Sequence, residues 1–381
     1  MGHKPRVIFL FPLVWRPEKA NFALRFERLS VKAHGEIFTL SAARHRGLPI
    51  GRFRVFSERF RQGLLARFLS RLRLQLLLAI RVCRRGSVDC IVAYDPYGSG
   101  INGILLKYLL RARLVVELNG DHHQHAASGN GIKNWIMLRG FQASLRHADA
   151  IKVLNTDQER FVREALPGKP VYRFCDFVAD SYFRTLHTYD GDYLLSVGHP
   201  FEPKGVREVI LAFRRIVERH PHLRLRIMGH AEKDELSEFR ALSANDPRIE
   251  FVPSGWIEDV GEQMRGCLAL VNGAHFEAMG RVHLEAMACR KPVLTTRTNG
   301  GRDYIVDGET GLLCEIRNVD DLAAKMETLV GDPVRARAMG EAGLARLEKE
   351  YCEARYVERM CGMLREVIGS ESNPDAAFAD R

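Results

Sequence analysis

Short apolar segments alternate with longer helix-forming segments along most of the chain, and this alternation restricts the fold more than any other feature. Five such segments occur in the first half: Val7–Phe11, Gly35–Leu40, Cys90–Tyr94, Leu114–Leu118 and Ala150–Leu154. Strands joined by helices pair in parallel, and parallel strands are apolar throughout because both of their faces are covered. The first half is therefore predicted to be a doubly wound α/β domain. After its last strand, Thr156 and Glu159 have the spacing of a capping box, which predicts a helix there.

A second series of the same kind begins after residue 192. Strands are predicted at Tyr193–Gly198, Arg224–Gly229, Ile249–Val252 and Leu268–Val271, with a helix over Val206–His220. Between the two series, residues 178–192 have no clear period and contain an Asp190-Gly191 turn, so we predict the linker there. A chain of 381 residues also suits two domains better than one.

The segment Glu277–Glu285 follows the fourth of these strands, at the sheet edge where ligands bind. Its terminal carboxylates stand eight positions apart and bracket Gly280, where an apolar, helix-forming run begins. A carboxylate accepts hydrogen bonds from neighbouring hydroxyl groups such as those of a ribose or a hexose, and the free amides of a helix start bind anions. The segment therefore suits a sugar, a phosphate and a ribose together. The alternative is a surface glutamate followed by an ordinary helical one.

The pattern continues beyond this segment. A helix over Glu285–Cys289 is followed by a strand over Lys291–Thr295, by Asn299–Gly301 and by Asp307–Leu313. From residue 193 to about residue 350 this order resembles the retaining family 4, or group 1, glycosyltransferases. The resemblance implies the GT-B fold, in which two Rossmann-like doubly wound domains face each other across a cleft and a C-terminal helix crosses back to the N-terminal domain. The implied parts are an acceptor-binding domain over 1–187, a nucleotide-sugar-binding domain over 188–354, a crossover helix over 355–368 and a disordered tail over 369–381.

The resemblance assigns donor binding to the second domain. It implies that Glu277 meets the donor sugar together with the backbone amides of Ala278, Met279 and Gly280. It likewise implies that Glu285 meets the ribose of the nucleotide.

The loop Gly198–Gly205 contributes a second part of the predicted donor site. Lys204 occupies the place where the family keeps a phosphate-binding lysine, and positive charge there stabilises the departing phosphate. The family usually has arginine where this chain has His199, and a histidine is neutral over much of the physiological range, so the grip on phosphate is predicted to be weaker or supplied elsewhere. We predict catalytic roles for Lys204, His199 and Glu277. Without this context, the Lys-Gly pair would be read as an exposed turn.

The acceptor side is predicted at strand ends of the first domain. Many relatives have a histidine where Asn119 stands, and an asparagine cannot carry a proton as imidazole does. Asp121 and His122, which follow Gly120, are the nearby substitutes, and Asp121 is the predicted catalytic group among them. Asp95 ends another strand and is predicted to line the acceptor pocket. A polar loop or a simple turn is the alternative reading of both segments.

The resemblance implies that the sugar is transferred with retention of configuration through an oxocarbenium-like, front-face path. The leaving phosphate then helps to deprotonate the acceptor, so no dedicated base is required. We predict neither a metal nor a cofactor besides the nucleotide-sugar donor, because Asp320 and Asp321 begin a helix and Asp176 and Asp180 stand without a clustered ligand set.

Charge is distributed unevenly between the two halves. Residues 1–187 contain 31 Lys and Arg against 14 Asp and Glu, a net charge of +17, whereas the remainder is −7. Ten arginines lie within Arg52–Arg85, mixed with apolar residues and opposed only by Glu58. As a helix this segment suits an anionic membrane surface, although a core helix with a solvated arginine face fits equally. Nucleic acid is disfavoured because aromatic residues spaced for base stacking are lacking.

The eight cysteines are scattered and lack metal-binding or redox spacing, and the N-terminus leads directly into a strand. These features predict a cytoplasmic protein, peripheral on the inner face of the plasma membrane. The predicted function is transfer of a sugar from a UDP- or GDP-linked donor to a lipid-linked or polysaccharide acceptor, as in lipopolysaccharide or exopolysaccharide biosynthesis. The predicted partners are a nucleotide sugar, a glycolipid or oligosaccharide acceptor and an anionic membrane. The alternatives are an epimerase or phosphorylase of the same fold, and a catalytically idle nucleotide-sugar sensor or membrane-associated scaffold.

Overall fold

The computed structural model describes residues 4–14, 20–60, 74, 78, 81, 87–120, 131–178, 191–229, 233–253 and 257–369. Contacts divide the chain into two units, one made of the residues up to Phe174 and those from Tyr356 onward, the other of Cys175–Arg355. The predicted domain border at residue 187 lies outside the described residues, as does the predicted tail except for Gly369.

The first unit contains an eight-stranded sheet in the order β3-β4-β2-β1-β5-β6-β7-β8. Its strands are β1 (Arg6–Val14), β2 (His34–Ser41), β3 (His45–Ile50), β4 (Phe53–Arg59), β5 (Cys90–Ala93), β6 (Arg113–Leu118), β7 (Ala150–Val153) and β8 (Val171–Arg173). The helices α1 (Ala20–Leu29), α2 (Gly98–Leu110), α3 (Ile132–His147) and α4 (Thr156–Ala165) lie between them in sequence. All neighbouring strands are parallel except β3 and β4. The five strands predicted in this half are confirmed.

The beginning of the arginine-rich segment is a strand. Strand β4 pairs in parallel with β2 and antiparallel with β3, so the helical interpretation of Arg52–Arg85 is wrong for its first residues. Phe53, Val55 and Phe56 are buried, and burying these aromatic and β-branched side chains in a sheet outweighs the helical spacing of the arginines. Most of the segment after Phe60 lies outside the described residues.

The predicted capping box at Thr156 and Glu159 is also wrong, by one residue. Helix α4 begins at Thr156, but its N-cap is Asn155, whose side chain accepts a hydrogen bond from the Gln158 amide at 2.8 Å. Asparagine caps a helix at least as well as threonine does, so the preceding residue takes the position. Glu159 instead pairs with Arg163 and Arg173 on the surface.

The second unit contains a six-stranded, fully parallel sheet in the order β11-β10-β9-β12-β13-β14. Its strands are β9 (Tyr193–Val197), β10 (Arg224–Gly229), β11 (Ile249–Pro253), β12 (Ala269–Asn272), β13 (Val293–Thr296) and β14 (Gly311–Cys314). Its helices are α5 (Val206–Ile216), continued by a 3-10 turn over Val217–Arg219, α6 (Lys233–Leu242), α7 (Ile257–Gly266), α8 (Arg281–Ala288), α9 (Asn299–Tyr304), α10 (Val319–Gly331) and α11 (Pro333–Glu350). The order reverses between β9 and β12, and the carboxyl ends of the strands at such a reversal form a ligand crevice.

The last described helix, α12 (Glu353–Gly369), belongs to the first unit from Tyr356 onward. The Tyr356 ring packs on that of Phe174 with centroids 6.1 Å apart, and the Tyr172 hydroxyl donates to Glu366 at 2.8 Å. Met360 and Leu364 are completely buried, so this helix forms part of the core of the first unit. Among the helices of the described residues, none combines the length and the apolar character needed to cross a bilayer.

Candidate functional site

Two predicted site residues from distant parts of the sequence meet in the second unit. The Lys204 ammonium lies 2.6 Å from Glu277 Oε2, which joins the loop after β9 to the loop after β12 at the reversal of strand order. The side chains retain 27% and 16% of their accessibility, so the pair is partly shielded but open to a ligand. The stem of Lys204 packs against Gly198 at the end of β9. The sequence placed these three residues in one site, and the structure brings them together.

Close backbone contact between the two loops creates this proximity. Gly205 has φ of +64°, and a Cβ there would lie 1.9 Å from the carbonyl oxygen of Gly273. A side chain at Gly205 would therefore push the loops apart. The amide of His275 also donates to the Pro203 carbonyl at 3.0 Å, which holds the same two loops at a second point.

The segment after Glu277 turns sharply into helix α8. Gly280 is the N-cap with φ of +72°, and the amides of the first turn follow it. The Glu277 carbonyl accepts from the Gly300 amide at 2.7 Å, so a third loop fixes the carboxylate-bearing residue. Ala278 is buried and Met279 is half-buried. The Glu277 carboxylate, the Lys204 ammonium group and the start of α8 are therefore adjacent.

Glu285 lies about one turn after the start of α8, and its carboxylate pairs with Arg281. Arg281 Nε lies 3.3 Å from Oε1, with the arginine side chain 43% exposed and that of Glu285 only 13%. Burial raises the pKa of Glu285, and Arg281 opposes that effect. The Glu285 carboxylate is therefore oriented to accept hydrogen bonds from a ribose, and its partner in the structure is the exposed Arg281 guanidinium.

His283 is a buried member of this region that the sequence analysis did not single out. Asn272 Oδ1 accepts from the Ala274 amide at 3.0 Å, so the Asn272 amide nitrogen faces His283 Nε2, 3.0 Å away. The ring nitrogen Nε2 therefore accepts, and the ring proton lies on Nδ1. Within the described residues Nδ1 has no hydrogen-bond partner, and it lies beside Gly280. The apolar pattern of the helix gave no signal for this arrangement.

The burial of His283 makes a pH dependence of stability testable. The pKa of His283 is lowered from 6.5 to about 4, mainly by burial, while Glu277 opposes the shift and Lys204 adds to it. The unfolded chain therefore takes up a proton before the folded chain does, and stability present above pH 6.5 is lost as the pH falls toward 4. Between pH 7 and pH 5, denaturant unfolding is expected to show a loss of about 2 kcal/mol from this residue.

His283→Gln is expected to remove this part of the pH dependence. His222→Gln changes an exposed histidine, so its free energy of unfolding should depend on pH as that of the wild type does. Comparing the change with pH rather than the absolute stability cancels any constant cost of the substitution. A His283→Gln curve parallel to that of the wild type would contradict a neutral, buried imidazole.

The other predicted site residues have separate positions. His199 is exposed in the loop that carries Lys204. In the first unit, both carboxylate oxygens of Asp95 accept backbone amides, from Tyr97 at 2.8 Å and from Ser99 at 3.2 Å. Asp95 therefore holds the backbone at the start of α2, whose N-cap residue is Tyr97. Asp121 and His122 lie outside the described residues.

Asn119 is oriented by a buried charged cluster that sequence reasoning missed. Its side-chain amide donates to Glu117 at 2.9 Å and to the Tyr94 carbonyl at 3.0 Å. The fully buried Glu117 also contacts Arg25 at 3.3 Å and Lys152 at 3.5 Å. The adjacent Gly120 carbonyl accepts from Gln158 at 2.9 Å. Asn119, Gly120 and Asp95 thus share the carboxyl edge of the first sheet, and the described residues include no acid or histidine cluster that could hold a metal ion.

Comparison with known proteins tests the predicted resemblance. The sequence profile described as "Glycosyl transferases group 1" matches residues 181–346, which include Lys204, Glu277 and Glu285. The predicted resemblance to the group 1 glycosyltransferases is confirmed over this part of the chain. An uncharacterised glycosyltransferase of Methanocaldococcus jannaschii is 27% identical to this chain over 259 residues, 67% of this chain and 69% of that protein.

Seven other curated relatives each match over less than half of their own length. One is the capsular polysaccharide biosynthesis glycosyltransferase CapM of Staphylococcus aureus, 29% identical over 158 residues, 41% of each chain. The crystal structure of Anabaena HepE in complex with UDP and glucose matches with a TM-score of 0.71 at 17% identity, covering 95% of this chain and all of that chain. The predicted α/β fold of the GT-B class is confirmed.

Proposed function

We propose that the protein is a retaining glycosyltransferase that moves a sugar from a UDP- or GDP-linked donor to a lipid-linked or polysaccharide acceptor in cell-envelope glycan biosynthesis. The observation that carries the proposal is the 2.6 Å pair of Lys204 and Glu277 beside the start of α8. A diphosphate brings about two negative charges, which suit the ammonium and the helix amides. When phosphate engages Lys204, the Glu277 carboxylate becomes available to accept hydroxyl groups of the sugar.

The same arrangement suits a departing nucleotide. As the bond between the sugar carbon and the phosphate oxygen breaks, the electron pair stays on that oxygen, where Lys204 and the first amides of α8 stabilise it. The acceptor oxygen bonds to the sugar carbon on the same face, and its proton passes to the leaving phosphate. On the acceptor side, Asp95 is occupied by backbone amides and Asn119 cannot take a proton. A path without a dedicated base fits these groups.

Two relatives support the choice of substrates. The neighbouring HepE structure contains UDP and glucose, and the relative CapM is described as acting in capsular polysaccharide biosynthesis. We infer a nucleotide-sugar donor and a cell-envelope glycan acceptor from them. The protein needs no metal ion in this proposal, because Lys204 and the helix amides meet the charge of the phosphate.

Nucleotide release measured with UDP- and GDP-sugars, alone and with a panel of lipid-linked and oligosaccharide acceptors, tests this function. Release is expected only when donor and acceptor are both present, and the anomeric configuration of the product, read by NMR, is expected to match that of the donor. Release without any acceptor would indicate hydrolysis, and an inverted product would contradict retention.

A catalytically idle sensor of nucleotide sugars is the second candidate. The observation that favours it is the engagement of both Asp95 and Asn119 in local hydrogen bonds of the first unit. Nucleotide binding without consumption of donor by any acceptor of the panel would support this alternative.

Nucleotide binding separates the roles of the two glutamates. Glu285→Ala is expected to reduce the thermal shift by UDP or GDP more than Glu277→Ala does, because a free nucleotide retains its ribose but has no donor sugar. For the wild type, a ligand at about 100 times its Kd adds about 2.7 kcal/mol to the free energy of unfolding.

Arg281→Ala is the matched control, because it removes the ion-pair partner of Glu285 and keeps the carboxylate. It should preserve the thermal shift. Equal losses in Glu285→Ala and Glu277→Ala would contradict the assigned roles.

A further inference from the structure

Helices α2 and α3 of the first unit expose large apolar side chains. Eight of the twelve exposed large apolar side chains in the described part of the chain lie on them. These are Ile101 (43% exposed), Leu105 (68%), Tyr108 (55%) and Leu109 (58%) on α2, and Ile132 (78%), Trp135 (57%), Ile136 (59%) and Met137 (38%) on α3. We call these eight residues the α2–α3 face. Single exposed apolar residues are ordinary, whereas such a concentration marks an interaction surface.

The two helices lie side by side, so the two sets form one surface. Gly100 lies against Ser144, and Gly140 lies within van der Waals distance of the Ile101 side chain. The Tyr108 hydroxyl lies 2.8 Å from His147 Nδ1 at the other end. Helix α2 therefore contacts the second half of α3, and Ile136 is one turn from the point where Ile101 meets α3.

The charge of the two helices indicates the kind of partner. Neither helix contains an aspartate or a glutamate, whereas Lys133, Arg139 and Arg146 are basic. A fourth basic residue, Lys107, pairs with Asp149 just after α3. The Arg139 guanidinium lies 5.5 Å from the centroid of the Trp135 ring. Exposed leucine and isoleucine beside tryptophan, tyrosine and arginine match the boundary of an anionic bilayer, where apolar side chains enter the acyl region and basic ones meet lipid phosphates. A symmetric contact with a second copy would instead bring two acid-free, basic surfaces together.

We propose that the α2–α3 face binds the surface of an anionic lipid bilayer. It is separate in sequence from the arginine-rich segment Arg52–Arg85. Helix α3 leads back to the beginning of β7, so its first turns, with Trp135 and Ile136, lie toward the carboxyl edge of the sheet that carries Asn119. A lipid-linked acceptor would thus be held near the predicted acceptor loops. This last consequence rests on the proposed function, whereas lipid binding itself does not.

Sedimentation with vesicles tests the proposal on the full chain. The protein is expected to bind vesicles of equal parts phosphatidylcholine and phosphatidylglycerol at least about 10-fold more tightly than phosphatidylcholine alone. The double variant Leu105→Glu, Ile136→Glu is expected to weaken this binding by about 10-fold or more, since both changed side chains would place a charge in the lipid boundary. Val31→Glu, a change at an equally exposed apolar residue of the same unit outside α2 and α3, should bind as the wild type does.

A spectroscopic measurement keeps the test valid if the double variant folds poorly. Vesicles are expected to shift the tryptophan emission of the wild type to shorter wavelength, and Trp135→Phe should remove most of this shift. Unaltered vesicle binding by a folded double variant, equal binding to both vesicle types, or an emission shift that persists in Trp135→Phe would overturn the proposal. So would a dimer seen by light scattering that the double variant dissociates while vesicle binding persists. Because none of these measurements uses a sugar donor, failure here is distinct from failure of the proposed transfer.

Discussion

Lys204→Met is expected to lower kcat by roughly 10²–10³-fold, the effect of losing one preorganised group that stabilises charge on a leaving oxygen. Methionine retains the unbranched stem that packs against Gly198, so the change removes the ammonium group and little else. It also leaves Glu277 without the cation that lies 2.6 Å from it. The measurement is steady-state release of nucleotide with donor and acceptor both saturating.

Arg207→Met is the matched control for this prediction. Arg207 is a cation at the start of α5, three residues after Lys204, and its exposed side chain pairs with Glu238. Its removal should change kcat by less than about twofold, because weak surface pairs of this kind contribute little. Lys204→Arg should recover part of the lost activity. A Lys204→Met variant with kcat within a few-fold of the wild type would show that the charge of the phosphate is met elsewhere.

Glu117→Gln is expected to lower the free energy of unfolding by about 3–5 kcal/mol, the cost of leaving a buried charge without its counterion. Glu117 and Lys152 are completely buried and Arg25 is 5% exposed, so water cannot replace the lost carboxylate. Denaturant unfolding measures the change. Glutamine replaces one of the two acceptor oxygens by an NH2 donor, so it cannot accept from Asn119, Arg25 and Lys152 as the carboxylate does, and the variant is expected to disturb the predicted acceptor edge.

Glu159→Gln provides the comparison, because Glu159 also pairs with two arginines but on the surface of the same unit. It should cost less than about 1 kcal/mol. Adding Lys152→Met to Glu117→Gln should recover part of the loss, since one uncompensated charge is then removed. Equal costs for the two glutamate variants would show that burial does not strengthen the pair.

Most strands of the two sheets could be predicted because they are apolar runs bounded by polar turns, as in β5 and β9, whereas β3, β4, β8 and β14 were not predicted. Strand β4 was interpreted as part of a helix because charged residues lie between its buried phenylalanines and valine, and the arginines continue beyond its end. The true cap of α4 was missed for a different reason. Asn155 and Thr156 are both good caps, and only the backbone geometry decides between them.

The donor side of the site could be predicted as a set of residues, but its contacts could not. Lys204 and Glu277 are 73 positions apart, and their pairing depends on the contact between Gly205 and Gly273. The position of the ring proton of His283 depends on which way the Asn272 amide faces. Asp95 follows a strand as an acceptor-side acid would, yet its oxygens accept backbone amides at the start of a helix. These contacts depend on which residues lie close together in the folded chain, and the positions of the residues in the sequence do not specify that.

Helix α12 also has a consequence for biosynthesis. Because Tyr356 packs on Phe174 and its ring lies 5.3 Å from the Arg25 guanidinium, the core of the first unit includes residues translated after the whole of the second. Domains generally fold in the order in which the ribosome makes them. Here the first unit cannot complete its core until residues 356–369 emerge from the ribosome. Until then, the apolar surface that Met360 and Leu364 later cover stays exposed. A chain stopped before residue 356 should therefore require a chaperone or aggregate, even though every strand of both sheets has been synthesised.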